Sequence, residues 1–473
     1  MFRISSTESR EPVEMKDESV SSLGAADIEQ LSALVTGPVS LPGSAEYAAE
    51  CATYNLTTPV RPAVAIGVTS VADVCASVRF AVERGLPVAV LATGHQVACA
   101  GDGAVLVNLS RMSAAHVDAA RRVARVEGGA RANEAVQAAQ QYGLAPLTGG
   151  SPTVGIAGFS LGGGYSPVLG RTYGYAADHV QAIELVTADG ELRRATASEA
   201  PDLFWALRGG KGNFGVITAL EVALFPVTRY YGGGLFYAAE HAAAVLHAWR
   251  EWVVGLPTEV TSSIAFLRRP QQPFAVHLRF ASLGAGPDAE RVLAPMRALA
   301  PTIMDTVGET PYRDVGTLHL DPTQPVPRTE DSTSLRELPR EAADVLLRAL
   351  GPDSGTHLDF MELQFFGGAL EKPPAVPNAV TGRHARWIVI AAGTGKPDRT
   401  QVFGDELTVL AASLAPWAQH EMHVNFLPPR NMTQRQLREI YGAERYDRLA
   451  AIKQRYDPGN VFRINHNIVP NGG

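Results

Sequence analysis

Apolar residues recur at helical spacing ahead of the first glycine-containing loop of the chain. Five of them would share one face of a helix: Val71, Val74, Cys75, Val78 and Val82. Ser70 and Asp73 resemble a capping box at its start, and Gly85 is well placed to end it. The pattern therefore predicts a helix from about Ser70 to Gly85.

Short apolar runs after this helix predict strands. Residues 87–91 and 104–108 are both β-like, and a loop of residues 92–96 follows the first of them. Residues 131–142 predict another helix, which Gly143 would end. The first half of the chain is therefore predicted to be mixed α/β with short connections.

Two glycine clusters interrupt this pattern of predicted helices and strands. Residues 148–164 hold seven glycines and almost no charge, and residues 208–216 form a second cluster before a β-like run. Glycine loses more conformational entropy on folding than any other residue, so a high density of glycine indicates a structural or functional requirement. Close approach of backbone amides to a ligand is one explanation, and a tightly packed turn system is the alternative.

The pattern changes again from about Pro226, and the glycine clusters become rare. Strand-like runs at 274–280 and 387–392 alternate with helical runs at 342–350 and 403–414, which predicts a second domain. Residues 446–455 predict an amphipathic helix, and the patterned segment 460–468 follows it.

Composition narrows the class of protein. The 473 residues are 46% hydrophobic and 19% charged, typical of a globular chain, and the length suggests two or three folding units. The formal net charge is −7 without any Lys/Arg-rich run, which argues against nucleic acid or an anionic membrane as partner. The odd set Cys51, Cys75 and Cys99 indicates free thiols in a reducing compartment. The polar residues 1–20 lack an apolar signal segment, so we expect a disordered tail on a cytoplasmic protein.

Gly158, Ser160 and Gly162 match the G-x-S-x-G elbow of serine hydrolases. That elbow needs a strong strand directly before the serine, and the preceding residues are few and interrupted by glycine. A serine hydrolase using Ser160 is therefore the least favoured function. The histidines show no metal-ligand spacing, so we expect no metal.

His95 lies on a small-residue loop after a predicted strand, and the motifs around it together resemble the berberine-bridge-enzyme-like branch of the FAD-linked oxidases. This branch shares the fold of vanillyl-alcohol oxidase, with its PCMH-type FAD-binding domain. The resemblance spans residues 54–469 and rests on seven motifs in the family's order: the Gly-His loop ending at His95, and residues 152–158, 161–164, 171–178, 202–216, 367–369 and 456–462.

The resemblance implies an α+β fold. A PCMH-type FAD-binding domain of two subdomains would be joined by a substrate domain with an antiparallel sheet flanked by helices. The expected divisions are a tail of residues 1–26, an FAD domain of 27–225, a substrate domain of 226–415, and a C-terminal segment of 416–473 that returns to the FAD domain.

The resemblance also implies FAD bound covalently through His95, since a neutral imidazole is nucleophilic enough to form that bond. Glycine-loop amides would serve the pyrophosphate. The remaining residues expected at the cofactor are Thr93, Gly94, Gln96, Ser151, Pro152, Thr153, Gly155, Ile156, Gly158, Gly162, Asn213, Val216, Asn465 and Asn467.

This chain departs from the family pattern at four places. Ser151 replaces a cysteine that makes a second flavin bond in many members, so His95 is predicted to be the only covalent link. Residues 91–94 replace Arg-Gly-Gly-Gly, which predicts altered phosphate contacts. Phe426 replaces a tyrosine that helps to deprotonate substrate, and His466 replaces a glutamine.

A catalytic base must therefore come from elsewhere. Glu362 is the favoured base, because burial would raise its pKa toward the working pH; a structural ion pair on a sheet is the alternative. Gln364 would share its strand face, and Asn425 and His466 are further candidates for contacts with substrate or flavin. Ser160 is expected near the oxygen gate above the flavin.

The predicted function is a flavin oxidase acting on a small molecule and O2. Hydride from a C–H next to a hydroxyl or amine would pass to the flavin, and O2 would be reduced to H2O2, as in a tailoring step of natural-product biosynthesis. A flavoprotein scaffold or cyclase without net redox is the main alternative. The substrate stays open, as does the choice between monomer and homodimer.

Overall fold

The computed structural model of the protein describes residues 23–471. The predicted tail lies mostly outside the described residues, and the first helix begins at Ala25, inside that predicted segment. The first subdomain contains seven elements: α1 (Ala25–Leu34), β1 (Val39–Ser40), α2 (Ala45–Glu50), β2 (Val64–Gly67), α3 (Val71–Glu83), β3 (Val88–Leu91) and β4 (Val105–Asn108). Its sheet has the order β1-β2-β4-β3, in which β2, β4 and β3 run parallel.

The predicted helix at residue 70 is α3, and the predicted signals mark its two ends. Ser70 Oγ accepts a hydrogen bond from the Asp73 backbone N–H at 3.2 Å. Gly85 follows the helix with φ +66°, a conformation that favours glycine. The buried side of α3 packs on the sheet, so β3 is held in place and the loop after it is positioned.

The second subdomain is an antiparallel sheet of order β5-β6-β9-β7-β8. Its elements are β5 (Ala115–Asp118), β6 (Val123–Glu127), α4 (Ala132–Gln140), α5 (Ile156–Leu161), α6 (Gly170–Tyr173), β7 (Val180–Val186), β8 (Leu192–Thr196), α7 (Pro201–Gly210) and β9 (Val216–Ala223). The predicted helix at 131–142 is α4. The first glycine cluster contains the short helix α5, which the sequence pattern did not predict.

The middle of the chain forms an eight-stranded antiparallel sheet. Its path is β13-β10-β12-β11-β16-β17-β15, and β14 also pairs with β10. The elements are β10 (Arg229–Ala238), α8 (Ala242–Trp252), β11 (Val260–Leu267), β12 (Ala275–Ser282), α9 (Gly286–Arg297), β13 (Thr302–Asp305), β14 (Gly308–Pro311), β15 (Arg328–Leu335), α10 (Arg340–Leu350), β16 (Phe360–Phe365), β17 (Trp387–Thr394) and α11 (Thr400–Leu414).

The two faces of this sheet have different neighbours. Helices α8 to α11 pack on one face, where Met361, Leu363 and Phe365 of β16 enter the hydrophobic core. Side chains alternate along a strand, so Glu362 and Gln364 of β16 lie on the opposite face. The prediction of an α+β fold with an antiparallel sheet flanked by helices is confirmed.

The C-terminal segment packs against the second subdomain. It contributes α12 (Gln434–Tyr441) and α13 (Ala443–Tyr456), whose apolar sides join the core of that subdomain. Lys453 and Asp457 are both fully buried with Nζ and Oδ2 3.1 Å apart. Lys453 also donates to the carbonyls of Asn213 (2.8 Å) and Phe462 (3.0 Å), which fixes the C-terminal tail beside the second glycine cluster.

Within residues 23–471, none of the helices combines the length and the apolar character that crossing a bilayer requires.

Candidate active site

A cavity of about 540 Å³ lies between the subdomains and the large sheet. Both glycine clusters, the loop after β3, strands β15 and β16, the turn at 424–426 and the C-terminal tail contribute to its wall. Concave sites of this size are typical for cofactors and small molecules.

Most of the residues predicted for the site meet in this cavity. The wall includes twelve of them: Thr93, Gly94, His95, Gln96, Ser151, Gly155, Gly158, Asn213, Glu362, Gln364, Asn425 and Asn465. Six others are not part of the wall: Pro152, Thr153, Ile156, Gly162, Val216 and Asn467. Gly162 shows one such supporting role, because a Cβ there would lie 1.9 Å from Asn425 Oδ1.

The loop after β3 brings His95 to the cavity. Gly94 has φ +67°, and a Cβ on it would lie 2.5 Å from Thr53 Cβ, so only glycine allows this close approach. The His95 ring stacks on Tyr54 with centroids 3.7 Å apart, and its Nε2 lies 2.9 Å from Thr153 Oγ1. Burial lowers the pKa of His95 to about 4, so its imidazole is neutral at pH 7.

Ser151 is linked to His95 through Thr153. Ser151 Oγ lies 3.1 Å from the same Thr153 hydroxyl that contacts the imidazole. Ser151, which stands where many family members have a cysteine, therefore lines the cavity. It is connected to His95, the predicted flavin link, by two successive hydrogen bonds through Thr153.

Glu362 lies on the cavity wall as predicted, but its expected raised pKa is wrong. Burial alone would raise the pKa of this carboxyl, but the Arg279 guanidinium and then His319 outweigh it and hold the pKa at about 2. Arg279 Nη1 lies 2.6 Å from Glu362 Oε1, and both side chains are almost fully buried. The alternative considered for this residue, an ion pair on a sheet, describes the structure, and a carboxylate this acidic is a poor base.

His319 is a cavity residue that the sequence analysis missed. It follows β14 in an irregular segment, and its Nδ1 lies 3.9 Å from Glu362 Oε1. A Cβ on Gly150 would lie 2.7 Å from the ring, so glycine lets the imidazole pack against the loop that carries Ser151. Burial and then Arg279 lower its pKa, which keeps the ring neutral at pH 7. Its position in a segment without periodic pattern gave no signal.

The polar residues beside Glu362 on the cavity wall include a buried acceptor without a hydrogen-bond partner in the described part of the chain. Gln364 Oε1 is buried without a hydrogen-bond partner among the described residues. Asn425 is held by a bond from its Nδ2 to the Phe159 carbonyl at 2.7 Å. Phe426 also lines the cavity. An apolar ring therefore occupies the position at which the resemblance implies a tyrosine in many relatives.

The C-terminal tail and the second glycine cluster also contribute to the cavity wall. His466 Nε2 lies 3.1 Å from the Pro428 carbonyl, and burial lowers the pKa of His466 to about 4. Lys211, which the sequence analysis passed over within its glycine cluster, also lines the cavity and contacts Gln96 Oε1.

Ser160 does not face this cavity. It lies within α5 and is 1% exposed, and the small pocket it touches is lined by Pro146 and Leu147 among others. Its neighbours Phe159 and Leu161 line the cavity, so the expected place of Ser160 near an oxygen gate stays a prediction. A buried serine inside a helix also lacks the exposed strand-to-helix turn of a hydrolase nucleophile.

The residues present fit a flavin dinucleotide. A neutral histidine, whose Nδ1 has no hydrogen-bond partner in the described part of the chain, faces the cavity, and glycines whose backbone can approach a ligand closely surround it. Asn465 Oδ1 is buried without a partner among residues 23–471, on a side chain that lines the same cavity.

Comparisons with known proteins agree with this geometry. The model of the "FAD binding domain" family matches residues 62–196, and the model described as "Berberine and berberine like" matches residues 429–469. (R)-6-hydroxynicotine oxidase of Paenarthrobacter nicotinovorans is 31% identical over 436 residues, covering 87% of this chain and 92% of that protein. Chitooligosaccharide oxidase of Gibberella zeae is 24% identical over 465 residues and covers 92% of both chains.

Solved structures share the fold. The crystal structure of 6-hydroxy-D-nicotine oxidase from Arthrobacter nicotinovorans superposes with a TM-score of 0.81 at 26% identity, covering 93% of this chain and 98% of that one. Glucooligosaccharide oxidase from Acremonium strictum, described as carrying a 6-S-cysteinyl, 8α-N1-histidyl FAD, superposes with a TM-score of 0.82 at 21% identity, covering 94% and 99%.

Proposed function

The chain belongs to the berberine-like family of FAD-linked oxidases, and we propose that it oxidises a small molecule with FAD bound covalently through His95 alone. Residues 27–225 and 416–473 would form the cofactor domain, and residues 226–415 would supply the substrate side of the cavity. The observation that carries the proposal is the neutral, stacked imidazole of His95 facing the cavity, with Ser151 instead of a cysteine beside it.

His95 is suited to make the link. Thr153 occupies its Nε2, which leaves Nδ1 as the ring nitrogen without a hydrogen bond among the described residues. A neutral imidazole nitrogen is a nucleophile, whereas a serine hydroxyl at neutral pH is a weak one without an adjacent base. Among the described residues, the hydroxyl of Ser151 hydrogen-bonds to Thr153 and not to a base, which supports a single link.

Bound FAD would accept a hydride from a substrate carbon and pass the electrons to O2, giving H2O2. The protein would position the substrate against the cofactor and accept the proton that leaves the neighbouring hydroxyl or amine. Gln364 and Asn425 face the cavity with amide groups that can orient such a substrate.

His319 is the proton acceptor in this proposal. Glu362 is ionised at pH 7, but its pKa of about 2 makes it a weak base. The imidazole of His319 is neutral and lines the same face of the cavity, 3.9 Å from the carboxylate. Glu362 would then be a positioning residue, because its charge stabilises the protonated imidazole after transfer.

The substrate is proposed to be a small molecule bearing a hydroxyl or an amine, as in a tailoring step of natural-product biosynthesis. A cavity of about 540 Å³ that would also hold the flavin ring suits a compact substrate. The curated relatives include a hydroxynicotine oxidase and oligosaccharide oxidases, so both amines and alcohols belong in the first screen.

Denaturing electrophoresis with in-gel flavin fluorescence, followed by peptide mass mapping, tests the link. We expect flavin on the peptide that contains His95 and none on the peptide that contains Ser151. His95→Ala is the control and should give a protein band without flavin fluorescence on the denaturing gel. Flavin on the Ser151 peptide, or a fluorescent His95→Ala band, would contradict a single link through His95.

Turnover without oxygen separates an oxidase from a flavoprotein scaffold or cyclase. An amine and alcohol panel is screened by H2O2 release in air and repeated under anaerobic conditions without another oxidant. The proposal expects a single turnover that bleaches the flavin and then stops. Continued product formation without oxidant would establish the scaffold or cyclase instead.

A further inference from the structure

Lys211 adopts a backbone conformation that normally requires glycine. Its φ is +53° and its ψ is −139°, and it stands inside the cluster Gly209-Gly210-Lys211-Gly212. A side chain in this region strains the backbone, and such strain persists where the surrounding structure enforces it, commonly at functional sites. The chain thus keeps a lysine where glycine would be the relaxed choice.

The side chain of Lys211 is directed to a specific partner in the cavity. Its Nζ contacts Gln96 Oε1. The amide nitrogen of Gln96 is itself bound to the carbonyls of Leu427 (2.7 Å) and Val424 (3.3 Å), so the orientation of the amide is fixed. Gln96 directly follows the proposed flavin link at His95 in the chain.

The ammonium has no carboxylate partner within residues 23–471. Arg328, the other cationic side chain on the cavity wall, is paired with Glu330 at 2.8 Å. His466, which also lines the cavity, is neutral at pH 7, because burial and then the charge of Lys211 lower its pKa. Burial lowers the pKa of Lys211 itself to about 8, so it still carries its charge at pH 7. An enclosed cation without a counter-ion creates a site for an anion.

We propose that Lys211 stabilises the negative charge that the flavin ring acquires on reduction, and so makes the cofactor a stronger oxidant. This inference rests on the proposed function, in which FAD occupies the cavity. The ring is favoured over the pyrophosphate as the anion, because Gln96 adjoins His95 and is anchored on the turn that carries Asn425. A fixed positive charge in an enclosed site lowers the free energy of the reduced, anionic ring relative to the neutral oxidised ring.

Sulfite provides a readout that needs no substrate. It adds reversibly to oxidised flavin and leaves negative charge on the ring, and the bleaching of the flavin spectrum gives its dissociation constant. The experiment uses the full-length, flavin-loaded protein, with Lys211→Met removing the charge and Lys211→Arg keeping it. Lys211→Gly is a second charge-free variant, whose backbone suits the observed φ.

We expect Lys211→Met and Lys211→Gly to weaken sulfite binding about tenfold or more and to lower the flavin reduction potential, while Lys211→Arg stays within about threefold of the native protein. Lys211→Gly should keep or raise the thermal midpoint, because it relieves the strained backbone. A residue with a merely structural role would lower the midpoint and leave sulfite binding unchanged.

Unchanged sulfite affinity in both charge-free variants would overturn the proposal. So would loss of flavin incorporation in those variants with rescue by arginine, which would assign the charge to the pyrophosphate. Failure of the proposed function has a different signature: the native protein itself would carry no flavin on His95.

Discussion

Nε2 of His95 lies 2.9 Å from Oγ1 of Thr153, although the two residues come from different loops. Thr153 is also predicted to contact the cofactor; it is not part of the cavity wall, and its hydroxyl lies against the imidazole. This contact engages one ring nitrogen, and in the proposed link the other would bond the flavin. The Thr153 hydroxyl would then orient the nucleophile, a role that hydrogen-bond partners of reactive side chains commonly have.

Thr153→Val should slow covalent attachment of FAD. Valine keeps the shape of threonine but cannot hydrogen-bond, and losing such a bond costs about 1 kcal/mol, which corresponds to roughly fivefold in rate. The measurement is the time course of in-gel fluorescence after FAD is added to flavin-free protein. Thr153→Ser, which keeps the hydroxyl, is the control, and equal rates for valine and threonine would show that the contact does not orient His95.

Ser151→Cys should give the flavin a second covalent bond. Ser151 lines the cavity beside the chain from Thr153 to His95, and a thiol ionises far more readily than an alcohol. Peptide mapping should then find flavin cross-linking the peptides of residues 95 and 151. Ser151→Ala controls for loss of the hydroxyl and should retain the single link. A cysteine variant with flavin on His95 alone would mean that residue 151 is not within reach of the ring.

His319→Gln should reduce the rate of flavin reduction by substrate about 10²-fold or more, the usual contribution of a general base. Reduction by the native enzyme should fall at low pH, because a protonated imidazole cannot accept a proton. The inflection should lie below the usual histidine value of 6.5, since burial lowers the pKa of His319. The measurement is anaerobic stopped-flow reduction across pH 4 to 9.

Glu362→Gln distinguishes His319 from Glu362 as the base. Glu362 raises the pKa of His319, so removing its charge should move the acid inflection to still lower pH while reduction at neutral pH persists. If Glu362 were the base, the glutamine variant would instead lose the fast reduction at every pH, and His319→Gln would keep it.

The local signals in the sequence predicted local structure well. Ser70, Asp73 and Gly85 marked the ends of α3, and the glycine clusters marked the cavity wall. The charge state of Glu362 could not be read in this way. Its partner Arg279 lies on β12, separated from β16 by β11, and only the strand register brings the two together.

His319 and Lys211 were not predicted from the sequence, for two different reasons. His319 lies in an irregular segment where no periodicity predicts the direction of a side chain. Lys211 had a usable signal, a single charged residue within a glycine cluster, but its meaning depends on a backbone angle that the sequence does not state.

The flavin-loaded protein should lose stability as the pH falls below about 6.5. Burial lowers the pKa of His423 to about 3 and that of His466 to about 4, so the folded state keeps both rings neutral where the unfolded chain protonates them. Between pH 6.5 and 4 the unfolded state therefore binds more protons, and the free energy of unfolding decreases as pH falls. Glu362 adds to the loss below about 4.5, because its folded pKa is also lowered.

Chemical denaturation at pH 7.5, 5.5 and 4.5 measures this slope, and His423→Gln tests its origin. Tyr175 OH lies 2.8 Å from His423 Nε2, and a glutamine can replace that hydrogen bond without titrating. The slope of unfolding free energy against pH should be smaller in the variant by up to about 1.4 kcal/mol per pH unit, the value for one proton. His116→Gln, a substitution of the same type at an exposed position on β5, is the matched control variant. Equal slopes in the native protein and His423→Gln would show that His423 titrates normally when folded.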